Sequence, residues 1–257
     1  MQEMDLNCDM GESFGRYKLG MDEEAIKHIS SANIACGRHA GDPAVMDRTV
    51  RLAVSNGVGI GAHPGFPDLQ GFGRRPMDCS FDEIRTDVVY QIGALKAFCD
   101  ANGGRLRHVK PHGALYNMAG DDPIAAGAIV DAVFGVDPEL ILVVLAGPKG
   151  RSIRERALER GLKIACEAFA DRAYNPDGSL VSRRLPGAVL TDPEEVAERA
   201  VVMAKDGRVR TVDGSVIEVD AQTICVHGDT AGAVEMTSRI RALLEREGIS
   251  VRPMQAR

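Results

Sequence analysis

Six segments of this chain end in side chains able to move protons, hold a metal ion or pin an anion. Asp5, Asn7 and Asp9 stand at alternate positions in residues 4–9, His39 closes residues 32–39, and His63 closes residues 58–63. His108, Lys110 and His112 alternate through residues 108–112 and Glu167 ends residues 163–167. His227 ends residues 223–227, with Asp229 two positions further on. Each segment is a short apolar run that stops at a turn or a polar cluster; a seventh run, residues 140–145, carries no such group. Of the 6 histidines only His28 falls in a helical stretch, so chance is a poor account of where the other five sit. Lys110 precedes Pro111 in a strand that should be buried. Its ammonium must be ion-paired or serve chemistry, because unpaired burial costs several kcal/mol. Glu167 presents the same choice: it pairs with Lys110 or works as an acid or base. Arg172, in the loop that follows, could grip a carboxylate through paired hydrogen bonds.

Such residues act together only if the fold gathers them. Between the runs, apolar residues recur at three- and four-residue steps in residues 22–30, 44–56, 80–102, 123–134, 148–160 and 193–205, the spacing of helices. A last helix is expected at residues 231–247. Asp42-Pro43, Asp122-Pro123 and Asp192-Pro193 each place a capping carboxylate before a proline suited to the first helical position. Asn56-Gly57, Asn102-Gly103-Gly104 and Arg160-Gly161 are stop signals. Strand–helix alternation repeated seven times predicts an α/β fold, either a parallel barrel lacking one unit or an open doubly wound sheet. Only the barrel collects all the reactive ends at one mouth. Residues 208–212 and 215–219 predict a small β-hairpin insertion about a two-residue Asp213-Gly214 turn. No repeat or linker divides the chain, so residues 1–257 are expected to form a single domain. Strand parity puts Asp5, Asn7 and Asp9 on one face, Asn33, Ala35, Gly37 and His39 on another, and Gly59, Gly61 and His63 on a third. These faces are small or polar where a barrel without a site would be aliphatic, which predicts an interior hollowed for a ligand.

Several function classes are disfavoured. A net charge of −6 opposes a nucleic-acid partner, and 4% aromatic residues with no Trp leave little to stack bases or sugars on. No apolar stretch has the length of a membrane helix, and the N-terminal residues lack a secretory pattern, so a cytoplasmic protein without a membrane partner is expected. Cys8, Cys36, Cys166 and Cys225 lie in the strand runs as small hydrophobes, and no Cys-x-x-Cys pair occurs among the 6 cysteines. Neither a Walker-type phosphate loop nor a dinucleotide fingerprint is present. Glycine-rich residues 61–67 and 71–75 could form a lid or simply a long connection.

Five motifs, in this order, carry a specific resemblance: Asp5-Leu-Asn-Cys-Asp-Met-Gly-Glu12, Ala32-Asn-Ile-Ala-Cys-Gly37 followed by His39-Ala-Gly-Asp42, Gly61-Ala-His-Pro-Gly-Phe-Pro-Asp68, Lys110-Pro-His-Gly-Ala-Leu-Tyr116 and Val226-His-Gly-Asp-Thr230. Through nearly its whole length the chain resembles the LamB/YcsF family, whose members act in the prokaryotic 5-oxoprolinase. The resemblance implies a deacetylase-like (β/α)7 barrel in the cytoplasm, working with two partner subunits, B and C. Together they would convert 5-oxoproline, ATP and water to L-glutamate, ADP and phosphate, with ATP bound by the partners. One departure stands out: Arg38 follows Cys36-Gly37 where the family pattern carries Phe, placing a charge beside His39.

For lactam hydrolysis, Asp9 or Glu167 is the expected base for water, and Lys110 with His63 or His227 would stabilise the oxyanion. His112 and Asp229 would orient these groups or protonate the leaving nitrogen. Asn7, Glu12, His39, Arg172 and Asp229 are the expected substrate contacts. Two other readings compete. One is a metal-dependent amide hydrolase or deacetylase with Asp9, His39 and His63 as ligands. The other is a non-catalytic protein that only binds substrate and presents it to partners.

Overall fold

A computed structural model of the chain describes residues 2–226 and 232–256; the expected contributions of His227 and Asp229 lie outside the described residues. The first six parallel strands are β1 (Gln2–Met10), β2 (Ser31–Ala35), β3 (Gly59–His63), β4 (Leu106–Val109), β5 (Ile141–Leu145) and β6 (Lys163–Phe169). The hairpin of β7 (Arg208–Arg210) and β8 (Val216–Glu218) follows, and β9 (Thr223–Val226) then enters the sheet. Each strand from β1 to β6 pairs with the next, β9 pairs with β6, and β1 pairs with β9. That last pairing closes a seven-stranded parallel barrel. The open-sheet alternative is thereby excluded. A short β10 (Ile249–Val251) extends the start of β1 outside the ring.

Helices α1 (Asp22–Ala25), α2 (Pro43–Asn56), α3 (Phe81–Ala101), α4 (Gly113–Met118), α5 (Pro123–Val136), α6 (Arg151–Arg160), α7 (Pro193–Asp206) and α8 (Ala233–Arg246) surround the sheet. The three Asp-Pro starts work as their chemistry dictates. Asp42 accepts from the amides of Ala44 and Val45 at 2.9 Å, and Asp122 and Asp192 do the same for α5 and α7. Ser80 and Glu83 add a capping box to α3. Outward-facing Met4, Leu6, Cys8 and Met10 of β1 join Ile34, Leu142, Val144 and Ile164 in the apolar layer against the helices.

The barrel interior is hollow toward one end only, where a cavity opens over Asp9 and Lys110. Its lower end is filled by Ile141, Val143, Ala165 and Met254, the last delivered by the C-terminal tail. Above them polar side chains interlock. Register places Asp9 beside Asn33, Asn33 beside Gly61, and Gly61 beside His108, so one row across four neighbouring strands carries all four. Gly61 is there for clearance. A Cβ at that position would lie 2.0 Å from His108 Nε2, so only glycine lets the imidazole cross β3 to reach Asn33.

Several boundaries fall elsewhere than the residue pattern suggests. Strand β2 ends at Ala35 rather than at His39, because Gly37 and Gly41 turn the chain through φ of 84° and 77°. Strand β4 ends at Val109, before Pro111, which has no N–H to give a ladder, and α4 begins directly after His112. The first helix is confined to Asp22–Ala25. The hairpin lies where expected but turns through three residues, Val212, Asp213 and Gly214. Thr211 N donates to Ser215 O, and Gly214 takes φ 87°.

Asp5 sits low in the barrel and accepts from Ser30 Oγ and Ser31 Oγ at 2.7 Å and from Thr223 Oγ1 at 2.5 Å. Burial pushes its carboxyl up from 3.8 to about 6 against the lowering effect of these hydroxyls. A carboxyl that is harder to ionise in the folded chain opposes folding once the unfolded chain ionises. The cost is absent below about pH 4 and complete above about pH 6. Urea unfolding at about pH 4 and about pH 7 should show the stability difference moving toward Asp5→Asn by on the order of 3 kcal/mol as pH rises. A difference that does not change with pH contradicts this.

Candidate active site

Lys110 leaves the end of β4 pointing across the barrel into the layer above Asp5. Its Nζ lies 2.9 Å from Asp9 Oδ1 on β1 and 2.9 Å from Glu167 Oε1 on β6. Asn7 Oδ1 at 3.3 Å and Cys225 Sγ at 3.0 Å complete its surroundings. The lysine is 2% exposed and Glu167 is not exposed at all. Burial by itself would lower the lysine pKa. The charges of Asp9 and Glu167 outweigh it, so the ammonium is held well above its ordinary value. Burial raises the Cys225 thiol far enough that it contributes a neutral dipole rather than a charge. The question left open by the residues, salt bridge or chemistry, therefore has a first answer: Lys110 is paired, with two carboxylates at once.

The carboxylates are held in turn. Asn33 Nδ2 donates to Asp9 Oδ1 at 2.9 Å and to Asn7 Oδ1 at 2.7 Å, and His108 Nε2 bonds Asn33 Oδ1 at 2.8 Å. Asn7 Nδ2 donates to Glu167 Oε1 at 3.0 Å and to Thr223 Oγ1 at 2.6 Å. Tyr116, on α4, donates its hydroxyl to Glu167 Oε2 at 2.9 Å. Burial, then the nearby Glu167 charge, raises the phenol well above its usual range. His108 is neutral, its pKa lowered to about 3 by burial and by Lys110.

The remaining histidines stand beside Asp9. His63 Nε2 is 3.3 Å from Asp9 Oδ2 and 2.9 Å from His112 Nδ1. His63 Nδ1 lies 2.6 Å from Lys110 O, and His112 Nε2 lies 2.8 Å from Phe72 O. His39 stacks on His112 with ring centroids 3.7 Å apart. Burial and the neighbouring imidazoles lower the pKa of both His39 and His112 well below the ordinary value. Neither ring nitrogen of His39 has a hydrogen-bond partner among the described residues. Each such orphan costs about 1–3 kcal/mol. Glu12 lies close by, and one ligand atom from each of Glu12, His39, His63 and His112 falls within 4.8 Å of the others. This cluster includes His112 and Glu12, and it omits Asp9, which the residue pattern suggests as a metal ligand.

A cavity of about 720 Å³ opens over this floor, within the range of ligand sites. Asp9, His63, Lys110, His112, Tyr116 and Phe169 line it, together with Arg74, Lys149, Arg172, Arg183 and Arg184. Asn7, Glu12, His39 and Glu167 do not reach its wall. Arg172 is buried, and Nε and Nη2 donate to Ala188 O at 3.1 Å and Val181 O at 2.5 Å. Arg172 is left with the two N–H groups of Nη1 and the second one of Nη2 to hold a substrate. Its first task is to tie down the loop that follows β6. Burial and Arg183 lower its pKa to about 10.

Residues 64–75 form a fixed cover over the histidines. Asp68 receives the Gly71 amide at 2.9 Å and the Arg75 guanidinium. Phe72 meets His39 and His112 edge-on, and it is the only non-glycine at positive φ among the described residues, at 54°. Arg38 turns away from this group. It pairs with Asp87 of α3 at 2.7 Å and lies over the Tyr90 ring, so the departure from the family pattern puts no charge into the site.

Asp9, His63, Lys110, His112 and Glu167 are all expected from the residue pattern, and the structure brings these five together. Tyr116 and the carbonyl of Phe72 are not. The sequence signal for Tyr116 is its place at the close of the motif that runs from Lys110.

A parallel barrel with titratable side chains from several strands converging beneath one mouth belongs to the catalytic kind of barrel. Comparison narrows this further. The LamB/YcsF family profile matches residues 4–257, and the chain belongs to that family. It is 56% identical over 252 residues to the A subunit of the 5-oxoprolinase of Pyrococcus abyssi, covering 98% of each chain. It is 57% identical over 254 residues to the corresponding protein of Natranaerobius thermophilus, covering 99% of this chain and 98% of that one. The crystal structure of a lactam utilization protein from Thermus thermophilus superposes with a TM-score of 0.92 at 48% identity, covering 98% of this chain and all of the other.

If Lys110 is the charge that balances two buried carboxylates, removing it should cost more than lost packing. Lys110→Met is expected to destabilise the chain by about 3–5 kcal/mol at neutral pH, because it leaves buried charge uncompensated. Denaturant titration of both proteins at neutral pH reads this directly, and a deficit below about 1 kcal/mol contradicts it.

Proposed function

We propose that this chain is the A subunit of an ATP-dependent 5-oxoprolinase and that its barrel mouth opens the lactam ring of 5-oxoproline to L-glutamate. The observation that carries the reading is the ammonium of Lys110, held charged between two carboxylates at the floor of a cavity rimmed with cations. The full-length relatives named as the A component of 5-oxoprolinase and the lactam utilization protein of the same fold support it. A cationic rim suits a substrate that carries a carboxylate and, once activated, a phosphoryl group. Arg74, Arg172, Arg183 and Arg184 are the residues proposed to hold it.

Asp9 is the better base of the two carboxylates, because it faces the cavity and Glu167 lies behind Lys110. Asp9 Oδ1 is held by Lys110 and Asn33, and Oδ2, next to His63, is the oxygen proposed to take a proton from water. The water oxygen then bonds to the ring carbon that carries the phosphorylated oxygen, the C–N bond breaks as the proton held on Asp9 passes to the leaving nitrogen, and a second water cleaves the acyl phosphate so formed into L-glutamate and phosphate. Lys110 stabilises the oxyanion mainly through its field, since its three protons already have partners. The Cys225 thiol is the weakest of these and the easiest for an oxyanion to replace. Glu167, fixed by Tyr116 and Asn7, keeps the ammonium charged throughout. His227 and Asp229 remain proposed participants.

Opening the lactam is uphill without ATP, and this chain carries no nucleotide loop. Two partner subunits, B and C, are therefore proposed to bind ATP and supply the activated substrate in the cytoplasm.

Reconstitution with both partners tests the assignment. Wild type should release glutamate from 5-oxoproline only when ATP is supplied. Asp9→Asn, which leaves Glu167 to balance Lys110, should fold normally and lose about 100-fold or more in turnover. Wild-type turnover in Asp9→Asn removes Asp9 as the base.

A further inference from the structure

The lactam chemistry proposed above leaves three buried imidazoles and a carboxylate without a task. Hydrogen-bond roles fix where their lone pairs point. His63 Nδ1, against the carbonyl of Lys110 at 2.6 Å, must carry a proton, and so must His112 Nε2 against the carbonyl of Phe72 at 2.8 Å. What remains is His63 Nε2, which faces both His112 Nδ1 at 2.9 Å and the Asp9 carboxylate at 3.3 Å. In neutral rings both atoms present lone pairs, and two lone pairs at that distance repel. A cation between them removes the conflict. A backbone carbonyl behind the opposite nitrogen is the arrangement that orients metal-bound histidines.

His39 adds an independent sign. Its ring is fully buried, yet neither nitrogen has a partner among the described residues. Glycines make room for it: a Cβ at Gly65 would lie 2.7 Å from His39 Nδ1, and one at Gly73 would lie 2.7 Å from His39 Cβ. Glu12 brings a carboxylate within 4.8 Å of the three imidazole ligand atoms. We propose that Glu12, His39, His63 and His112 form a binding site for a divalent first-row transition ion of the zinc type. Three nitrogen donors and one oxygen suit Zn²⁺, Co²⁺ or Ni²⁺, and they disfavour Mg²⁺ and Ca²⁺, which demand oxygen. The ion would sit beside Asp9 and stiffen the floor of the cavity. The site does not depend on the identity of the substrate.

The test uses the intact chain alone, stripped with a chelator and dialysed against Zn²⁺, with Mg²⁺ in parallel. The expected result is uptake of about one Zn²⁺ per chain with a rise in melting temperature, and no uptake of Mg²⁺. Co²⁺ should give visible absorption bands that excess Zn²⁺ abolishes. His39→Gln and His112→Gln should each weaken Zn²⁺ binding at least about tenfold, whereas His28→Gln should leave it unchanged. Absence of Zn²⁺ uptake by the wild type overturns the proposal, as does uptake that survives in both His39→Gln and His112→Gln. Nitrogen NMR of the stripped chain showing His63 protonated on both nitrogens, in a protein that takes no Zn²⁺, would identify an imidazolium as the bridging cation instead.

Discussion

One ammonium organises the interior of this barrel. Lys110 reaches from the end of β4 to carboxylates on β1 and β6, strands that do not neighbour β4 or each other, and so ties across the ring what the sheet hydrogen bonds join only around it. The interaction is costly to assemble, because three charged groups give up water. It is tolerable only because the remaining lone pairs of Asp9 and Glu167 are met by Asn33, Asn7 and Tyr116. Asn7 and Asn33 are therefore as necessary as the charges themselves, although neither touches the cavity. The fold spends its interior on polar order where a barrel without a site would use aliphatic layers.

Two consequences follow for chemistry. The cluster is preorganised, so in the proposed reaction a developing negative charge at the mouth would meet a cation that is already oriented and desolvated, with little reorganisation left to occur. The burial that makes the cluster rigid also divides labour between its carboxylates. Asp9 shares the cavity wall with Lys110, while Glu167 serves from behind. The histidines form a second group on the other side of Asp9, clamped by the residue 64–75 segment through the carbonyl of Phe72. Asp9 is the hinge between the two groups.

Much of this was legible in the residues, and the reasons are physical. Alternation along β1 put Asp5, Asn7 and Asp9 on the inner face, and the structure has all three there, because period-two geometry leaves no freedom once Met4, Leu6, Cys8 and Met10 must meet the helices. Proline after aspartate marked three helix starts, for the same reason that a fixed φ and a capping carboxylate act locally. What was not legible depended on the third dimension. His112 reads as the end of a strand, yet Pro111 ends the ladder first, and its partner is a backbone carbonyl that no side-chain pattern encodes. Tyr116 sits in a helix too short to show a period. The choice between Asp9 and Glu12 beside His39 and His63 turns on distances that spacing along the chain does not carry. Arg38 looked like an added charge in the site, but its long side chain found Asp87 on α3 instead.

The central claim is that the Lys110–Asp9–Glu167 cluster is the floor on which the lactam is attacked. A crystal structure of the isolated chain soaked with 5-oxoproline tests it most directly. The ring should lie in the cavity above the cluster, its carbonyl carbon facing Asp9 Oδ2 and its carboxylate among the rim arginines. A ring bound at another surface, with the Lys110 cluster left facing solvent, would contradict the account.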